Sequence, residues 1–153
     1  MKRASGWNWT VVLGVVGALL ASSASLGGAA EPPADVYCQA AIASLQQDVQ
    51  ALGELIQLLE SYGGDPESLA EWEQAHWETL NREKTELLQG FGMTLGEYVR
   101  YVAANRKAYD AYLAEHPDVR SQIQALVDEA EAKLARVEEL KTATTATAPP
   151  GAR

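Results

Sequence analysis

From about residue 35 to residue 141 the apolar side chains return every three or four positions rather than every two, the period of an amphipathic helix. In the first stretch Ile42, Leu45, Val49, Leu52, Ile56 and Leu59 alternate intervals of three and four, and Cys38 extends the line four residues earlier. That is a heptad seam, and it predicts a helix from Asp35 to Tyr62. Gly63 and Gly64 then supply the left-handed backbone of a helix end, while Asp65 and Pro66 suit the start of the next helix. So short a connection predicts an antiparallel hairpin.

The second helix is expected to run from Pro66 to Gln89. On it Leu69, Trp72, His76, Leu80, Glu83 and Leu87 fall within about 80° of one another on a helical wheel. After Gly90 and Gly92 comes Thr94-Leu-Gly-Glu97, a capping box flanked by Met93 and Tyr98 at the positions of a hydrophobic staple. It opens a third helix to Glu115, where Pro117 disfavours helical geometry at His116. The fourth carries Val119, Ile123, Leu126, Ala130, Leu134, Val137 and Leu140, with Glu129 and Lys133 paired one turn apart, and is expected to end near Lys141.

The predicted fold is all-α: a four-helix bundle or two antiparallel helical hairpins. If Pro117 only kinks the chain, the last two helices become one rod of roughly 45 residues, nearly 70 Å long. The organisation reads as a signal segment over 1–30, a helical domain over 31–141 and a disordered tail over 142–153, where TATTATAPPGAR has no core-forming residue.

The opening residues place the chain. Met-Lys-Arg precedes a run from Ala4 to Ala30 with no charge, greasiest over Val11–Leu20 and ending in Ser, Ala and Gly. This is the order of a secretory signal, with cleavage expected after Ala30 or, as the alternative, after Ala24. The uncharged run is also long enough to stay as an uncleaved anchor. Asp35, Val36 and Tyr37 before Cys38 do not make a lipobox. The chain is therefore expected to be exported, to the periplasm or the extracellular space.

Removing Lys2 and Arg3 from the 12 basic residues leaves 10 against 21 acidic ones, a formal charge of −11. Such a surface repels phosphate, so no nucleic acid is expected as a partner and a membrane is expected only through an uncleaved N-terminal segment. The single cysteine rules out an internal disulfide, and Cys38 is either a buried small hydrophobe or half of an intermolecular bridge.

Three groups of residues carry candidate chemistry. Glu73 and His76 form an E-x-x-H pair, the spacing that carboxylate-bridged metal bundles use, and Glu83 lies on the same stripe. The ordinary alternative is a histidine hydrogen-bonded within the core. Tyr98, Tyr101, Tyr109 and Tyr112 cluster within about 80° on the third helix, a ladder able to line a binding groove or to pack on a bundle edge. Trp77 stands about 140° from Trp72 around the helix, so the two cannot share one seam, and one of them needs a second contact surface.

Nucleophile elbows, phosphate loops and cofactor-binding motifs are missing, and no enzyme or cofactor is expected. The leading expectation is a protein-protein interaction module, binding a protein partner or a second copy of itself through Trp77, Tyr101, Tyr109 and Tyr112. A metal-binding bundle built on Glu73, His76 and Glu83 is the first alternative, and an envelope stress holdase the second.

Overall fold

The computed structural model describes residues 32–61 and 66–147. The signal segment, the Gly63-Gly64-Asp65 turn and the end of the tail lie outside these residues. Within them the chain is all-helical: α1 (Ala34–Ser61), α2 (Pro66–Gly90), α3 (Leu95–Ala104), α4 (Arg106–Glu115) and α5 (Pro117–Thr147). None of the described helices is long and apolar enough to cross a membrane.

Local chemistry sets the ends. Gly92, at φ 75°, closes α2 in the left-handed region that favours glycine. The Met93 N–H donates to the Leu88 carbonyl at 3.1 Å and the Gly92 N–H to that of Gln89 at 2.9 Å, the paired bonds of a Schellman end. Leu88 and Met93 are both buried there. The capping box forms as expected: the Thr94 N–H donates to Glu97 Oε2 at 2.6 Å and the Glu97 N–H to Thr94 Oγ1 at 3.2 Å. Those bonds hold the Glu97 carboxyl below its ordinary range.

Two expectations about the elements need correction. The helix expected from Thr94 to Glu115 is two helices of 10 residues each, broken at Asn105, whose φ of −120° and ψ of 28° leave the helical region. The break keeps part of the ladder, because the Asn105 N–H still donates to Tyr101 and its carbonyl accepts from Tyr109. The last helix does not stop at Lys141 but continues to Thr147, so the first six residues of the expected tail are helical. At Pro117 a single residue, His116 (φ −126°, ψ 73°), separates α4 from α5 and leaves the helical region, which the following proline disfavours.

The helices differ in length, with three of 25 to 31 residues and two of 10. Helix α1 packs most closely on α5 and next on α2. Lys84 of α2 reaches back to Asp48, and Leu88 shares a cluster with Leu45 while Leu69 shares one with Leu59, so α1 and α2 run antiparallel. Helix α5 runs parallel to α1: Ile123 clusters with Tyr37 and Cys38, whereas Arg136 pairs with Glu60. The short α3 and α4 lie at the end where α1 begins, and Tyr98, Tyr101 and Tyr109 gather there around Tyr37.

The buried line of α1 is rotated from the expected seam. Ile42, Val49 and Ile56 are only half-buried, while Ala41, Ser44, Asp48 and Leu55 are enclosed. The α5 stripe matches expectation, with Ile123, Ala130 and Val137 fully covered and Lys133 3.5 Å from Glu129.

Candidate functional site

The three residues expected to hold a metal do not come together. Glu83 is exposed, and Glu73 Oε1 lies 2.8 Å from Lys141 Nζ in an ion pair between α2 and α5. His76 instead stacks on Trp72, ring centroids 4.7 Å apart and 11° from coplanar. Its Nε2 is buried without a hydrogen bond among the described residues. Trp72 and Glu73 both neighbour His76 on the helix, at i, i+4 and i, i+3, and it is the indole that the imidazole meets. No group of three His, Cys, Asp or Glu side chains among the described residues is arranged to hold a metal ion.

The tyrosine ladder is mostly core. Tyr101 and Tyr109, expected at a binding surface, are 4 % and 8 % exposed. Tyr37, in the first turn of α1, draws them in. Its ring lies 4.0 Å from Tyr101 and 5.3 Å from Tyr98 in stacked geometry, and 5.7 Å from Tyr109 edge-on. Rings so arranged gain beyond their buried area. Burial raises the Tyr37 and Tyr98 hydroxyls far above their ordinary range and pushes that of Tyr109 up to about 12. They are neutral hydroxyls at any physiological pH.

Tyr112 remains half-buried and stacks on His116 at 4.0 Å. His116 Nδ1 lies 2.8 Å from the Tyr112 carbonyl, which can only accept, so that nitrogen carries the proton. Trp77 is half-buried, outside the residues of both apolar clusters. Of the four expected contact residues, Trp77 and Tyr112 therefore retain a surface.

Cys38 is 1 % exposed and unpaired. Burial, and then the Asp35 carboxylate, push its thiol up to about 11. Of the two roles expected of Cys38, this burial fits that of a small core hydrophobe, and a covered, protonated thiol is a poor nucleophile for bridging.

One constellation went unread in the sequence. Lys84 Nζ lies 2.6 Å and 2.8 Å from the two Asp48 carboxylate oxygens, with the two side chains only 7 % and 1 % exposed. Burial raises the Asp48 carboxyl more than the Lys84 charge and hydrogen bond lower it, and the balance leaves it pushed up from 3.8 to about 6. Beside it Ser44 is hydrogen-bonded to the Tyr98 hydroxyl, so α1, α2 and α3 meet at one buried polar layer. The signal was present: Asp48 stands between Leu45 and Leu52, and Lys84 midway between Leu80 and Leu88, each at helical spacing within an apolar line.

Comparison of the chain with protein-family models, with curated proteins and with solved structures finds no match.

Proposed function

We propose that the chain is an exported protein-interaction module, periplasmic or extracellular, acting through the outer face of α2. The observation that carries this reading is Trp77, a large aromatic only half-buried and outside both apolar clusters of a small acidic protein. Indole is favoured at protein interfaces because it offers wide apolar contact and one N–H donor. The basic, apolar and small-residue order of residues 1–30 supports export.

Trp77→Ala is the test. Capture of the partner from the native compartment should fall at least tenfold, while the melting temperature stays within about 3 °C, as for a surface substitution in a domain this size. A drop of 10 °C or more with capture intact would assign the indole to the fold instead.

A further inference from the structure

The core is not continuous. One apolar cluster gathers Tyr37, Cys38 and Leu45 with the tyrosines of α3 and α4 and with Ile123. A second gathers Leu52, Leu55 and Leu59 with Leu69, Ala130 and Val137. On α1 they part between Leu45 and Val49, and the buried side chain in that interval is Asp48, held by Lys84.

We propose that the Asp48–Lys84 layer divides the fold into two units, and that the far unit opens on its own while the tyrosine end stays closed. The far unit comprises α1 from Val49, α2 up to about Thr79 and α5 from Ala130. This goes beyond the interaction reading and does not depend on it.

Four observations support the division. An ion pair satisfied within itself passes little packing energy from one apolar cluster to the next, and opening beside it returns water to two charges that folding had dehydrated. Gly53 follows five residues later in α1, and the Lys133 ammonium lies 3.2 Å from where a Cβ would stand. A glycine inside a helix weakens it, here on the far side of the layer. The far unit is tied across its helices by the more covered Lys141–Glu73 and by Arg136–Glu60, with both side chains about half exposed; an exposed pair such as Arg136–Glu60 is weak and screened by salt. The near unit has the stacked Tyr37, Tyr98 and Tyr101 and a cover made by two further helices.

Hydrogen exchange of the intact protein at neutral pH, read peptide by peptide, tests this. Amides of 49–61, 69–79 and 130–143 are expected to exchange together, at least tenfold faster than those of 37–47, 98–102 and 109–123. Sodium chloride at 0.5 M should widen the gap. In the double variant Asp48→Leu, Lys84→Met the clusters join through apolar side chains, and the gap should close to within about threefold. Uniform protection in the wild type overturns the proposal whether or not the variant folds. A gap that persists unchanged in a folded double variant overturns the assignment of the boundary to this pair.

Discussion

Lys84→Met isolates the buried layer. Methionine keeps nearly the length of the lysine stem but removes the ammonium whose nitrogen lies 2.6 Å and 2.8 Å from the Asp48 oxygens. Asp48, 1 % exposed, then has either to hold a bare carboxylate away from water or to take up a proton. Removing one partner of a buried pair costs about 3–5 kcal/mol, whereas replacing both with apolar residues of similar volume is often neutral or stabilising by about 1–4 kcal/mol. Urea denaturation followed by circular dichroism at pH 7 should therefore show a large loss for Lys84→Met and little or none for Asp48→Leu, Lys84→Met. Part of the single-variant loss should return at pH 5, where Asp48 is protonated. A single variant within about 0.5 kcal/mol of wild type at pH 7 would refute the reasoning, since no buried carboxylate could have been stranded. The double variant, if it lost as much as the single, would show that the site needs the pair itself.

Three further outcomes follow from the same geometry. The Asp48 carboxyl is raised in the folded chain, from 3.8 to about 6, so between those values the native state binds the proton more tightly than the unfolded state. Its contribution is fully present below pH 4 and is lost as pH rises through 6, on the order of 3 kcal/mol in all; Asp48→Asn should flatten that part of the stability profile relative to wild type. Tyr37→Ala, which removes the ring between Tyr101 and Tyr98, should cost about 3–5 kcal/mol, and Tyr37→Phe far less if stacking rather than the hydroxyl carries the site. Cys38 should react with a thiol reagent at neutral pH only at the rate at which the fold opens, and the protein should run as a monomer on non-reducing gels. Immediate labelling or a covalent dimer would contradict its burial.

How much of this was legible in the sequence depends on the kind of interaction. The all-helical class, the boundaries of α1 and α2, the capping box at Thr94 and the α5 stripe all follow from local rules: the 3.6-residue period, cap chemistry and proline. Tertiary contact decided the rest. The Ile42, Val49, Ile56 line marks a plausible coiled-coil face, but α1 touches both α5 and α2, and the direction between them falls on Ser44, Asp48 and Leu55. A polar residue at that position reads as solvent-facing until its partner is found 36 residues away in α2. The tyrosine ladder reads as one face of a single helix, but its residues are shared between α3 and α4. Tyr37, belonging to another element, turns Tyr98, Tyr101 and Tyr109 inward, and the break at Asn105 falls between Tyr101 and Tyr109. Glu73 and His76 have metal-site spacing, yet Lys141 and Trp72 occupy them first.

The claim that α2 presents a contact surface is tested most directly by a photo-crosslinking amino acid at position 77 in intact cells, with position 101 as the buried control. The account predicts a discrete adduct from position 77, to a partner or to a second copy, and none from position 101. No adduct from position 77, or equal adducts from both, would contradict it.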